Sequence, residues 1–193
     1  MYILNQTAKD YIMTDRLIIR DISASYIAEI LDFHVRNRKR FEQFDRTHEP
    51  GFYTMEFHRR YIEYQLSESM KVHSFRYFTF LKEDPEHIVG TVSLSNINLG
   101  DSKSATLGYK TDESKEHLGL TQEAIHAVIA HNCGENSLHH LDAYIMPSNK
   151  RSIKTIENCG FTMHSVAKDF LYRQGSYHDM LKYVYDHKPD RQM

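Results

Sequence analysis

The chain has 193 residues, 40% of them hydrophobic and 26% charged, which fits one compact domain and leaves little room for a second. Its 24 Lys+Arg against 26 Asp+Glu set up no strong whole-chain field, so binding to nucleic acid or an anionic surface by bulk charge is excluded as a first reading. Eight Gly and four Pro are too few for a low-complexity chain, and no apolar run approaches the roughly 18 to 20 residues of a membrane helix.

In chain order, the run Arg16-Leu17-Ile18-Ile19-Arg20 suits a first strand. Ile27, Ile30, Leu31 and Val35 then recur at three- and four-residue steps, predicting an amphipathic helix over 25–35 capped by Ser23 or Ser25. Residues 36–51 are charged and aromatic, break at Pro50-Gly51, and read as a long loop of the kind that usually carries function. Thr54 caps a second helix running to about Met70. Strands over 75–81, 88–94 and 105–111, with turns at Asp84-Pro85-Glu86 and Leu99-Gly100-Asp101-Ser102, predict an antiparallel meander.

A helix over about 120–133 follows, with Gly134 where a C-terminal cap belongs. A strand over 141–146 runs into Pro147, and a helix over 149–159 ends at Gly160-Phe161. Two final strands, 166–172 and 177–185, flank Gln174-Gly175, a hairpin signal, and 187–193 reads as a frayed tail. The fold class is α+β: a mixed, mostly antiparallel twisted sheet of about seven strands flanked by about four helices. The loop between the 105–111 strand and the 120–133 helix lies at a strand's carboxyl end and a helix's N-terminus, a natural place for an anion.

Cys133 and Cys159 form no CxxC, so they read as two buried thiols of a reducing compartment. The N-terminal residues lack a basic segment followed by an apolar stretch, and the expected location is cytoplasmic. The thirteen histidines suggest a metal, but their spacing does not: there is no HxH or HxxxH, and His126 and His131 fall about 140° apart on a helix. No metal site is expected.

The order of motifs resembles the GNAT N-acetyltransferase superfamily, in particular its RimJ/RimL branch of ribosomal-protein-alanine acetyltransferases, over about residues 14–185. The resemblance is carried by Thr14-Asp15-Arg16-Leu17, Asn37-Arg38, Leu107-Gly108-Tyr109, Gln122-Glu123-Ala124-Ile125 and Met146-Pro147-Ser148-Asn149-Lys150-Arg151-Ser152. Gly160-Phe161, Ala167-Lys168-Asp169-Phe170-Leu171 and Gln174-Gly175 followed by Asp179 complete it. It implies one acetyltransferase domain over 1–193, acetyl-CoA as cosubstrate and a primary amine as acceptor, such as a ribosomal protein N-terminus. It implies no direct contact with nucleic acid or membrane, and either a monomer or a homodimer.

By resemblance, the pantetheine arm pairs with backbone at Tyr109, Lys110 and Thr111, as if a strand were added to the sheet. The pyrophosphate meets the amides of the next loop at His117, Leu118, Gly119, Leu120 and Thr121. That loop departs from the family pattern in Glu116 at its first position and Thr121 at its last; an acid pointing inward there repels a pyrophosphate, while Lys115 adds charge and His117 a donor. Asn149 either holds the pantetheine arm or only caps its helix, and Ser152, three residues on, is the expected proton donor to the leaving thiolate.

No base is transferable, because the carboxylate assigned that role in some RimL-type enzymes falls on Leu171; Glu42, Asp45 and Glu113 are the candidate replacements. Phe41-x-x-Phe44 and the second helix would form the acceptor groove. At pH 7 freeing a lysine amine costs about 3.5 kcal/mol more than freeing an α-amine, so an N-terminal acceptor needs only a weak base. A small-amine acetyltransferase (polyamine or aminoglycoside acceptor) and a non-catalytic acyl-CoA-binding regulatory domain remain as alternatives.

Overall fold

Eight strands form one sheet in the order β1-β2-β3-β4-β5-β6-β8-β7. The computed structural model describes residues 11–134 and 137–187, so the tail expected beyond His187 lies outside the described residues. The strands are β1 (Tyr11–Met13), β2 (Leu17–Asp21), β3 (Phe75–Leu81), β4 (Asp84–Asn98), β5 (Ser104–Thr111), β6 (His140–Ile145), β7 (Thr162–Arg173) and β8 (Ser176–Asp186). The helices are α1 (Ile27–Arg36), α2 (Arg38–Phe41), α3 (Met55–Met70), α4 (Leu120–Asn132) and α5 (Lys150–Asn158).

The caps fall where hydroxyls and amides were expected. Ser23 accepts from the amide of Ser25, Thr54 from that of Phe57 and Asn149 from that of Ser152. Gln174 and Gly175 both have positive φ, 51° and 84°, the turn that joins β7 to β8. The strand beyond the expected seven is β1, three residues pairing with β2 ahead of Thr14. The additional helix is α2, whose four residues interrupt the stretch read as a loop and are too few to show a period.

Two local expectations fail. The turn before β4 sits at Lys82 and Glu83, and Asp84, Pro85 and Glu86 already belong to the strand. Proline is tolerated there because β5 begins pairing only at Gly90, so this end of β4 has one free edge. Nor does Gly134 cap α4 in a left-handed turn: Cys133 is extended, with φ −106°, and Asn132 ends the helix. The Asn132 side chain donates to the carbonyl of Val128 at 2.8 Å and accepts from the Tyr77 hydroxyl at 3.1 Å.

Strand alternation sends side chains to two cores. Ala105, Leu107, Val92 and Leu94 pack with α4 and α5 residues such as Ala124, Val128 and Ile156; Phe78, Phe80 and Ile88 pack with Ile30, Phe33 and Ile62 of α1 and α3. The parallel pairing of β5 with β6 holds only at Ser104–Thr106 against His140–Asp142. Beyond it β5 continues on β4 alone while β6 follows β8, so the sheet splays open beside residues 107–111.

Gly90 sits where β3, β4 and β5 are closest. A Cβ on it would lie 2.8 Å from the carbonyl oxygen of Lys110 and 2.9 Å from the Thr79 hydroxyl. Thr79 can rotate, but the backbone of Lys110 cannot give way without moving the lip of the splay. Gly90→Ala is therefore expected to cost about 1–3 kcal/mol. Thermal denaturation checks this as a fall in Tm of about 3–10 °C.

Candidate active site

The end of β5 is fixed from below by a buried carboxylate. Asp112 accepts from Arg36 Nε at 2.7 Å, Asn37 Nδ2 at 3.1 Å, and the amide and hydroxyl of Ser114 at 2.9 and 2.7 Å. Burial works to raise its pKa, and the donors of Ser114, Asn37 and Arg36 outweigh burial and hold it below the ordinary aspartate value. Asn37 also accepts from the amide of Glu113 at 2.8 Å, so the Asn37 of the sequence motif braces the loop.

The loop itself is buttressed from the start of the domain. Arg16 donates to the Leu118 carbonyl at 2.8 Å and to Glu123 at 2.7 Å, and Thr14 donates to Glu123 at 2.5 Å. Two motifs noted separately in the sequence, at 14–17 and 122–125, are thus one contact. His117 and Gly119 both have positive φ, 65° and 75°, which turns the chain into α4. No side chain caps α4, so its first-turn amides at Leu120, Thr121 and Gln122 face the cleft with their donors uncommitted to the helix. The hydroxyl of Thr121 meets that of Thr111 across the opening.

Glu116 does not point at those amides. Its carboxylate is paired with Arg40 Nε at 3.0 Å and with Arg151 on its other oxygen, its side chain 11% exposed. The repulsion expected from an acid at this position is cancelled by a guanidinium from α2 and another from α5.

These elements enclose a cleft of about 390 Å³ at the splay. Of the expected cofactor-binding residues, Tyr109, Lys110, Thr111, His117, Gly119, Leu120, Thr121, Asn149 and Ser152 line it; Leu118 is turned outward, and its carbonyl serves Arg16. Asn149 caps α5 and lines the cleft as well. Inside, the Ser152 hydroxyl donates to the Tyr109 hydroxyl at 2.7 Å, and the Tyr109 hydroxyl donates to the Ser152 carbonyl at 2.8 Å. Burial pushes the Tyr109 pKa well above that of an ordinary phenol, so this side chain keeps its proton.

The candidate bases separate in space. Asp45 lines the cleft, gripped through both carboxylate oxygens by Lys110, with His48 Nε2 at 3.5 Å. Burial opposes the charge on both members of this pair, and Lys110 lies below the ordinary lysine value. Glu42 instead lines a neighbouring hollow and accepts from Tyr53 and Arg38, each at 3.0 Å, while Glu113 is exposed. Arg173, at the tip of the β7–β8 hairpin, donates to the carbonyls of Glu42 and Asp45 at 2.7 and 3.0 Å and holds this loop over the cleft. Leu171 pairs with His178 on β8.

Phe41 and Phe44 both reach the cleft wall, Phe41 from the buried core and Phe44 beneath Arg40. No α3 residue lines the cleft. That helix bounds a separate hollow with Arg76, Ser93 and Ser95, so its expected part in an acceptor groove beside the cleft is not seen.

Three features were missed in the sequence: the Tyr109 phenol, the Arg40–Glu116–Arg151 trio and the Lys110–Asp45 pair. For Tyr109 a signal existed, since alternation from Ala105 and Leu107 aims it at α5. Among the described residues no group of three or more His, Cys, Asp or Glu could hold a metal, and no helix is long and apolar enough to cross a membrane. Cys159 is buried and Cys133 half-buried, and burial pushes their thiols up to about 12 and about 11.

A central strand that parts from its parallel neighbour, followed by a turn into an uncapped helix and faced by a hydroxyl pair, is the architecture of an acetyltransferase domain. The family model described as acetyltransferase (GNAT) domain matches residues 16–162, and the chain belongs to that family. The [ribosomal protein uS5]-alanine N-acetyltransferase of Escherichia coli is 28% identical over 167 residues, 86% of this chain and 85% of that protein. The ribosomal-protein-S5-alanine acetyltransferase of Vibrio fischeri has the same fold, with a TM-score of 0.83 at 23% identity, covering 96% of this chain and all of that one. So does the RimL ribosomal L7/L12 alpha-N-protein acetyltransferase solved with coenzyme A, at a TM-score of 0.82, 20% identity and coverage of 91% and 97%.

Proposed function

We propose that the protein transfers an acetyl group from acetyl-CoA to the N-terminal α-amine of a protein, such as a ribosomal protein, in the cytoplasm. The observation that carries this reading is the hydroxyl pair Ser152–Tyr109 at the splay, beside uncommitted α4 amides and an open strand edge. The edge residues Tyr109, Lys110 and Thr111 take the pantetheine arm as an added strand, and the 117–121 amides take the pyrophosphate. The related enzyme from E. coli acts on a ribosomal protein alanine, and the RimL structure holds coenzyme A, which supports both substrates.

The neutral amine attacks the thioester carbonyl; as the tetrahedral adduct collapses, the nitrogen gives up a proton to water in the cleft, the C–S bond breaks and the thiolate takes a proton. Ser152 is the donor; Tyr109, which accepts from it at rest, then turns its own proton from the Ser152 carbonyl to the serine oxygen, and water restores the phenol. Asp45 is the one candidate carboxylate in the cleft, and with Lys110 beside it the site carries no spare negative charge to hold an ammonium. That favours an amine that is already neutral, hence the α-amine over lysine.

Calorimetry with acetyl-CoA, followed by acetylation of Ala- and Ser-initiated peptides, lysine side chains and polyamines, tests this. Micromolar binding and turnover on the peptide α-amines is expected. Faster turnover of polyamines would overturn the acceptor, and no binding at high micromolar ligand would overturn the enzyme.

A further inference from the structure

Glu116 and its two arginines come from three separate elements and meet at the mouth of the cleft. Arg40 stands on α2, Arg151 on the first turn of α5, and the carboxylate on the loop between them; Arg40 and Glu116 are 16% and 11% exposed. Arg151 stays about a third exposed, but removing the Arg40 and Glu116 charges from water costs free energy that exposed ion pairs do not meet, and it is repaid only by close hydrogen bonding. The trio carries one positive charge in excess, and Lys115, His117 and Lys154 line the same cleft.

Such an arrangement does two things. It brings one nitrogen of each guanidinium to one point, and it fills that point with a carboxylate that gives one oxygen to each, as a phosphate can. We propose that Arg40 and Arg151 are a phosphate subsite for the carrier, and that Glu116 is its built-in placeholder, displaced when a phosphate group arrives. The inference rests on acetyl-CoA as substrate. Glu116 keeps the forks in place in the free protein, but each arginine then changes partner, and the lost pairing is subtracted from the carrier's affinity. The 3′-phosphate alone, or the two singly charged phosphates of the pyrophosphate together, brings two negative charges where the carboxylate brings one, so the exchange runs toward the ligand. The subsite serves either the pyrophosphate or the 3′-phosphate, which share this chemistry.

Titration calorimetry of the wild type and Glu116→Gln with acetyl-CoA, acetyl-3′-dephospho-CoA and acetyl-pantetheine tests the placeholder. Glutamine keeps the shape and removes the charge. Glu116→Gln is expected to bind acetyl-CoA about tenfold more tightly and acetyl-pantetheine no more tightly. A gain kept with the dephospho carrier assigns the pyrophosphate; a gain lost with it assigns the 3′-phosphate. Equal or weaker binding of acetyl-CoA by Glu116→Gln, at unchanged Tm, would show that the carboxylate is only a bracket and overturn the inference.

Should that variant fold poorly, the pair Arg40→Gln and Arg151→Gln carries the test. Each is expected to weaken acetyl-CoA by about tenfold and leave acetyl-pantetheine unchanged; equal weakening of both ligands overturns the subsite. A wild type that binds neither acetyl-CoA nor its dephospho form overturns the proposed function itself, and the inference with it.

Discussion

Replacing Ser152 by alanine is expected to lower kcat by about 10²-fold, near 2.7 kcal/mol, with the KM for acetyl-CoA moving by less than about threefold. The leaving group sets the requirement. A thiolate that departs unprotonated competes well with the amine for re-addition to the carbonyl, so a donor within reach drives collapse forward. The Ser152 hydroxyl stands at the first turn of α5, where Asn149 caps the helix and fixes its orientation, and it is already hydrogen-bonded to the phenol of Tyr109. Burial keeps that phenol protonated at every working pH, and its one proton rests on the Ser152 carbonyl, from which the proposed relay turns it to the serine oxygen.

The two hydroxyls therefore act as one unit, and units are not additive. Tyr109→Phe is expected to lose nearly as much kcat as Ser152→Ala, and the double variant little more than either. Steady-state kinetics of the three proteins over pH 6–9 gives the answer. Fully multiplicative losses would break the relay, and an unchanged kcat and pH profile in Ser152→Ala would remove the serine from the mechanism.

How far this site was legible follows from the distance over which each signal acts. Ser152 and Asn149 could be found because they are three residues apart at a helix start that Pro147 and the following apolar period announce. The glycine of the phosphate loop was equally local. By contrast, Arg40 and Glu116 are 76 residues apart, and Arg16 and Glu123 are 107 apart, separations that no helix or strand period encodes. Resemblance supplied the motifs containing Arg16 and Glu123 without saying that they touch. The errors were short-range: α2 has too few residues for a period, and Pro85 read as a turn because its strand's missing neighbour is a tertiary fact. Where the Glu116 carboxylate points stayed open for the same reason, since Glu116 was visible and the arginines that pair with it were scattered.

The second large effect concerns stability in acid. His58 on α3 is wholly buried, and neither of its ring nitrogens has a hydrogen-bond partner; the His34 ring on α1 stacks on it at 5.3 Å and is 8% exposed. Burial lowers both from the ordinary 6.5, His58 to about 4 and His34 to about 2, the latter helped by the charges of Lys110, His58 and Arg76 against Asp45. The folded protein thus holds both rings neutral where the unfolded chain binds protons. Stability is full above pH 6.5 and falls as pH drops below it, down to about 4 for His58 and further for His34. At pH 5 each histidine removes about 2 kcal/mol, about 4 together, a large share of the 5–15 kcal/mol of a typical domain.

Two histidines oppose the trend, of which His87, on Asp84, is fully exposed. His140, between Asp186 and Asp142, has a raised value; its contribution is present below 6.5 and lost as pH rises, but it is partly exposed and screened. Urea denaturation at pH 7, 6 and 5 should therefore show the wild type losing stability steeply. His58→Leu removes a buried, unpartnered polar ring, so it is expected to be more stable at pH 7 by about 1–2 kcal/mol. Its slope below pH 6.5 should fall by about 1.4 kcal/mol per pH unit. A variant that keeps the wild-type slope would place the proton uptake elsewhere.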